Sequence, residues 1–140
     1  MTRYIPVLTI VLLFFMSSCG QSVQDENLKM REKIISVHDE VMPLMGKLKS
    51  LEKKAIQEIQ TLGEEENPNS GRITELKSLA VDLDAAYEGM FDWMHQYEPV
   101  DGDKTPEEIK TYLDDQLIKI TEVNDKFKEV LAKADELFQA

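Results

Sequence analysis

The residues of this chain that could do chemistry are few: one cysteine, two histidines and seven methionines. A lone cysteine cannot form a disulfide within the chain, so the thiol of Cys19 is available for modification. Neutral imidazole and thioether sulfur are ligands for Cu(I), and His/Met pairs also hold haem iron. The sequence has no His-Glu-x-x-His pair for zinc, no Cys-x-x-Cys-His for covalent haem, no Glu-x-x-His for a di-iron site and no glycine-rich phosphate loop. We therefore expect a protein that is not an enzyme.

Cys19 follows a segment that has the properties of a secretory signal. One basic residue, Arg3, precedes an apolar run over residues 5–16, and two serines separate this run from the cysteine. The run is too short to span a bilayer, which needs roughly 20 apolar residues, but it suits a cleaved signal peptide. Small residues that end at a cysteine resemble the lipobox of bacterial lipoproteins. We predict that residues 1–18 are removed and that Cys19 is acylated, which anchors the chain to a membrane.

The charge of the chain limits its partners. Lys and Arg number 16, Asp and Glu number 27, and the formal net charge is −11. Arg3 is the only charged side chain before residue 19, so cleavage changes the net charge to −12. Such a surface repels phosphates, and we expect no nucleic-acid partner.

Apolar residues recur at steps of three and four, the spacing of amphipathic helices, over three segments. This pattern predicts helices over about 24–62, 70–97 and 105–138. Pro43 lies within the first, so we expect a kink near residues 39–43. The third begins with Thr105, Pro106 and Glu108, which together predict an N-cap and a capping box. The stripe that we expect to be buried on the second helix is Ile73, Leu76, Ala80, Leu83, Tyr87, Met90, Met94 and Tyr97.

Short connections between these helices make neighbours antiparallel. We therefore predict an all-α fold, an up-down-up three-helix antiparallel bundle over residues 28–140. Residues 19–27 are predicted to be a lipidated tether. The first helix is the longest, so its first ten or so residues should project from the bundle as an N-terminal helical stalk.

Hairpin geometry aligns the helices with one another. We expect the numbers of facing residues to sum to about 134 across the first turn and about 204 across the second. This alignment places Gln116 near Met45 and Tyr87. It also brings both histidines and several methionines into one half of the bundle, beside the kink: His38, Met42, Met90, Met94 and His95.

This Met/His cluster has two interpretations. It can be a metal site for copper or a haem site, formed by side chains on facing helices. Alternatively, the methionines fill irregular space beside the kink, His38 is half-buried with a hydrogen-bond partner, and Gln116 bonds to the Tyr87 hydroxyl. We favour packing and keep the metal site as the alternative.

Two motifs resemble a group of small lipoproteins from Bacteroidetes bacteria that are often named "viral A-type inclusion protein". They are VHDEVMPLMG over residues 37–46 and MFDWM over residues 90–94, and YLDDQ over residues 112–116 belongs with them. The resemblance implies a helical lipoprotein of a Gram-negative envelope and carries no known activity with it.

These observations together predict a non-enzymatic envelope lipoprotein. We expect it to be anchored by lipid, most simply in the outer membrane, and to bind an envelope protein or to act as a structural helical module. The alternative function is binding of copper(I) or haem by the Met/His cluster.

Overall fold

The computed structural model describes the backbone of residues 19–139 and the side chains of residues 23–139, so the predicted signal peptide lies outside the described residues. The described chain is all-helical and has no strand. None of its helices has the length and hydropathy needed to cross a bilayer. Three helical segments pack together, as predicted, and the first is divided by a short 3₁₀ turn. The elements are α1 Cys19–Val41, the 3₁₀ turn Met42–Leu44, α2 Met45–Gly63, α3 Ser70–Gln96 and α4 Pro106–Gln139.

The start of α4 is set by local sequence. The backbone N–H of Thr105 donates to the Glu108 carboxylate at 2.8 Å, and the Glu108 N–H donates to the Thr105 hydroxyl at 3.3 Å. These reciprocal bonds satisfy donors that the first helical turn leaves unpaired. The predicted capping box is confirmed, with Pro106 as the first helical residue.

The predicted kink is confirmed at the turn Met42–Leu44, where Pro43 lacks the N–H that a continuous helix would use. The last helix fixes this break. Asn124 of α4 is buried, and its Nδ2 donates to the Val37 carbonyl at 2.8 Å and to the Glu40 carboxylate at 3.2 Å.

Residues 19–27, which we expected to form a tether, are part of helix α1. Asn27 is buried where α1 meets the start of α4, and its Nδ2 donates to the Pro106 carbonyl at 2.8 Å. One residue earlier, Glu26 lies 3.8 Å from the ammonium group of Lys110. The predicted stalk, the first ten or so residues of a helix from about residue 24, is therefore wrong, because Asn27, Arg31 and Ile34 already contact other parts of the bundle or are buried in it.

Cross-helix pairs show how the helices run beside one another. Lys49 pairs with Asp84 at 3.0 Å and Glu58 with Arg72 at 2.8 Å, so α2 and α3 run in opposite directions. Helix α4 runs in the same direction as α1, because its start lies beside Asn27 and its middle lies beside Val37. The side chains enclosed between them form one apolar core.

The buried face of α3 differs from the predicted stripe. The core side chains Leu79, Ala86 and Trp93 each stand one residue before the expected Ala80, Tyr87 and Met94, which are only partly buried. Both sets follow a three-four repeat, so spacing alone does not separate them. The side chains of the first set enter the core. Of the second set, Tyr87 lies beside α2, because the Lys49 ammonium is 4.8 Å from the centroid of its ring.

Candidate functional site

The structure places the five residues of the predicted Met/His cluster in different surroundings. His38 lies at the expected level of the bundle, because its ring centroid is 5.6 Å from that of Trp93, the neighbour of Met94. Met42 and Met94 are partly buried and pack against the apolar core. His38, Met42 and Met94 are therefore the members of the set that combine partial exposure with a place beside the helix break.

His38 has the geometry of an oriented imidazole. Its side chain is 17% exposed, and its Nδ1 lies 2.8 Å from a carboxylate oxygen of Asp39. Because a carboxylate accepts the hydrogen bond, Nδ1 is the donor, and in the neutral imidazole the lone pair is then on Nε2. A histidine held in this way by a carboxylate is the usual arrangement of a metal ligand, and it is also an ordinary surface hydrogen bond.

The other two predicted ligands have different surroundings. Met90 is fully buried in the core. His95 is exposed, and its Nδ1 lies 2.8 Å from the carbonyl of Phe91 one turn earlier on α3. In the part of the chain that the structure describes, no group of three or more His, Cys, Asp and Glu side chains could hold a metal ion. A metal site would depend on the sulfur of Met42 and Met94.

The predicted bond between Gln116 and Tyr87 is wrong. Gln116 is buried, its Nε2 donates to Asp115 of its own helix at 3.2 Å, and its Oε1 has no partner. The reason is the alignment of α3 with α4. Tyr112 bonds to the backbone of Glu98, so Gln116, one turn further along α4, lies closer to the end of α3 than to Tyr87.

A clamp that the sequence did not suggest holds the connection between α3 and α4. Arg31 of α1 donates to the Tyr97 hydroxyl at 3.1 Å and to the Glu98 carbonyl at 3.4 Å, and it forms an ion pair with Asp101. The Glu98 N–H donates to the Tyr112 hydroxyl at 2.6 Å, and partial burial raises the pKa of that hydroxyl. Arg31 occupies a half-buried position on α1. An arginine at such a position usually pairs its guanidinium group with another part of the chain, and this is the signal in the sequence that points to the clamp.

Aromatic rings continue from this clamp into the bundle. Trp93 stacks on Tyr97 with ring centroids 4.9 Å apart, and Tyr97 lies 6.3 Å from Tyr112. Trp93 is buried, and its Nε1 has no hydrogen-bond partner. The three rings form an aromatic row at the end of the bundle that holds the clamp.

Two carboxylates, Glu40 before the helix break and Glu98 at the clamp, are stabilised in their ionised form. Hydrogen bonds from Lys128 and Asn124 hold the pKa of Glu40 below its usual value of 4.5. At the clamp, the Lys104 ammonium lies 2.8 Å from Glu98 and lowers the pKa of that carboxyl. These ion pairs join α1 to α4 and close the connection between α3 and α4.

The geometry thus defines an all-helical module of three packed segments. Comparisons with protein-family models, curated proteins and solved structures return no match. Acylation of Cys19 and the resemblance of the two motifs to Bacteroidetes lipoproteins therefore remain predictions from the sequence.

Proposed function

We propose that this chain is a lipoprotein of the bacterial cell envelope, acylated at Cys19 and most simply held in the outer membrane. Its mature part is an up-down-up three-helix bundle that binds another envelope protein and catalyses no reaction. Residues 1–18 serve as the signal peptide that brings it there.

One observation carries this proposal: the residues that directly follow the predicted acylation site are helical and lead into the bundle within about two helical turns. Helix α1 runs without a break from Cys19 to Val41, and Asn27 already bonds to Pro106. Residues 19–26 would span about 12 Å as a helix, so the bundle stands close to the bilayer on a stiff support. Such a support suits a module that presents a fixed surface to a partner.

The hydrogen-bond contacts of the two histidines support the proposal that the chain catalyses no reaction. His38 shares its Nδ1 with Asp39, and His95 shares its Nδ1 with the Phe91 carbonyl. Neither contact is to a serine or threonine hydroxyl that an imidazole would activate.

Membrane fractionation and mass spectrometry test the anchor. We expect the wild-type mature chain to carry acyl groups on its first residue and to remain with membranes. The Cys19→Ala variant should lose the acyl groups, and the Ser18→Ala variant, changed at the neighbouring residue, should keep them. Recovery of both variants in the same fraction, with no acyl group on the wild type, would refute the anchor.

A second candidate function is binding of Cu(I), and the geometry of His38 favours it. The Asp39 carboxylate orients the imidazole, Met42 follows one helical turn later, and Met94 lies beside Trp93 on the facing helix. This set is smaller than the predicted one, because Met90 is in the core and His95 is on the surface.

Competition with a chromophoric Cu(I) chelator tests this second candidate. A site formed by His38, Met42 and Met94 should bind one ion tightly, and Met42→Leu should weaken the binding at least tenfold, while His95→Gln should not change it. Equal binding by the wild type and Met42→Leu would leave only the packing role. Addition of haem, followed by the Soret absorbance, tests the haem alternative on the same samples.

A further inference from the structure

The surface between α3 and α4 contains two grooves that lie in line. One has a volume of about 200 Å³ and is lined by Ala85, Ala86, Gly89, Glu122, Val123 and Lys126. The other, of about 480 Å³, lies towards the first residues of α3 and includes Ser78 and Leu137. The ion pair of Asp82 with Lys133, 2.6 Å long, lies between them. We call the first of these the α3–α4 groove.

The α3–α4 groove exists because side chains on α3 are small. Gly89 is inside a helix of 27 residues, has no positive φ, and a Cβ added to it would meet no atom within 4 Å. Glycine in a helix interior costs about 1 kcal/mol relative to alanine. Neither backbone conformation nor packing requires glycine here, so the fold itself gives no reason for the open space.

Two exposed apolar side chains lie on α3 and α4 one helical turn before residues that line the α3–α4 groove. Val81, one turn before Ala85, is 68% exposed, and Ile118, one turn before Glu122, is 61% exposed. Because α3 and α4 run in opposite directions, these two residues lie at opposite ends. Their separation along the helix axis is about 16 Å, or three helical turns, on the geometry of an ideal helix.

The outer faces of α3 and α4 beside this surface carry six carboxylates without an ion pair in the described chain. The lysines that line the two grooves are already occupied, Lys126 by Glu129 at 3.4 Å and Lys133 by Asp82. By contrast, six carboxylates on the outer faces of α3 and α4 form no ion pair with any residue of the described chain: Glu75, Glu88, Asp92, Glu122, Asp125 and Glu136.

We propose that the α3–α4 groove is a docking site for a basic amphipathic helix of another protein. Small or apolar side chains of that helix lie on Ala85 and Gly89 between Val81 and Ile118, and its Lys or Arg residues pair with these six carboxylates. Charge selects this occupant over a second copy of the chain, because two copies with a net charge of −11 repel each other. The proposal rests on the proposed function, in that it names the partner class of a protein-binding module.

The test uses the full-length chain in a mild non-ionic detergent and two synthetic helical peptides. Each has about 20 residues, a length at which designed helices form in water, and an alanine/leucine stripe. One carries lysines beside the stripe and the other carries glutamates. Fluorescence anisotropy measures binding of each peptide at low and at physiological salt.

Two matched variants decide where the peptide binds. Gly89→Leu fills the α3–α4 groove, and Gly46→Leu makes the same change on α2, where an added Cβ also meets no atom within 4 Å. Both variants should fold, because the space is open and leucine favours helix. We expect the lysine peptide to bind, the glutamate peptide to bind at least tenfold more weakly, and Gly89→Leu, unlike Gly46→Leu, to weaken the lysine peptide at least tenfold.

Charge reversal provides an independent measurement. Glu122→Lys with Asp125→Lys should weaken the lysine peptide and reduce its dependence on salt, whereas Glu64→Lys with Glu65→Lys at the α2–α3 turn should act only weakly. Equal binding by the wild type and Gly89→Leu would overturn the proposal. So would sedimentation showing a dimer that Gly89→Leu dissociates and Gly46→Leu does not, because the occupant would then be a second copy.

Photo-crosslinking in cells separates failure of this site from failure of the proposed function. A crosslinker at position 89 should capture a partner through a lysine- or arginine-rich helical segment, identified by mass spectrometry. Capture from position 46 alone would refute the α3–α4 groove and leave a protein-binding module in place. No capture from either position would count against both.

Discussion

Two buried amides on one face of α4 should respond in opposite ways to loss of their polar atoms. Asn124 and Gln116 are 3% and 4% exposed. The Nδ2 of Asn124 bonds to the Val37 carbonyl and to the Glu40 carboxylate, whereas the Oε1 of Gln116 has no partner. We predict that Asn124→Leu destabilises the protein and that Gln116→Met stabilises it.

The magnitudes follow from the contacts. A neutral hydrogen bond contributes about 1 kcal/mol and one to a charged group about 1.5–3 kcal/mol. The added apolar surface of leucine offsets part of this loss, so Asn124→Leu should lower the free energy of unfolding by about 1–2 kcal/mol. A buried unpaired carbonyl costs about 1–3 kcal/mol. Gln116→Met removes this cost. The bond that it loses is weak, because the Asp115 carboxylate is exposed and already pairs with Lys119 at 2.7 Å, so the free energy of unfolding should rise by about 1 kcal/mol.

Urea unfolding followed by far-ultraviolet circular dichroism measures both changes. The slope of the free energy with urea should stay constant, because neither variant changes the area exposed on unfolding appreciably. Both replacement side chains are at least as large as the amides that they replace, so neither substitution leaves a cavity. Destabilisation by Gln116→Met equal to that by Asn124→Leu would refute the reasoning, since it would mean that both amides are fully hydrogen-bonded. An unchanged Asn124→Leu would show that α4 does not fix the break between α1 and α2.

Three further predictions concern the clamp, the capping box and the core. Arg31→Ala removes the bonds to Tyr97, Glu98 and Asp101; it should speed amide hydrogen exchange in the α3–α4 connection, with little change in α2 as the internal control. Hydrogen bonds from Thr105 hold the pKa of Glu108 below 4.5, so its stabilisation is present above that pH and is lost as the pH falls through the lowered pKa. Glu108→Gln should therefore flatten the loss of thermal stability in acid, and an unchanged acid limb would contradict this. Phe127→Ala should lower the free energy of unfolding by about 3–5 kcal/mol in urea, because the ring is fully buried; a loss below 1 kcal/mol would mean that the core is not packed around it.

Local features of the fold could be predicted from the sequence because their causes lie within a few residues. Thr105 and Glu108 stand three apart, which is enough to form a capping box. Pro43 interrupts its helix whatever the neighbours are, because the missing N–H is its own. The three-four spacing likewise predicts three helical segments without knowledge of their contacts.

The alignment of α3 with α4 could not be predicted in the same way. It depends on the connection between them, whose course is set by Arg31 from a distant part of the chain and by the Tyr112 hydroxyl. Pro99 and Gly102 mark a turn but do not say where its two ends pair. An alignment assumed from the middle of the turn therefore placed Gln116 beside the wrong residues.

The rotation of α3 links this limit to the proposed docking site. Two apolar stripes overlap on α3, and burial of the one that contains Leu79, Ala86 and Trp93 turns Ala85 and Gly89 towards α4. Burial of the other stripe would have turned these small residues away from α4, and no groove between the two helices would result. The sequence does not determine which of the two stripes is buried, and burial of the first stripe creates the open surface. If Gly89→Leu folds with undiminished stability yet no longer binds the lysine peptide, the small residues of α3 serve recognition, because packing would have favoured a larger side chain at that position.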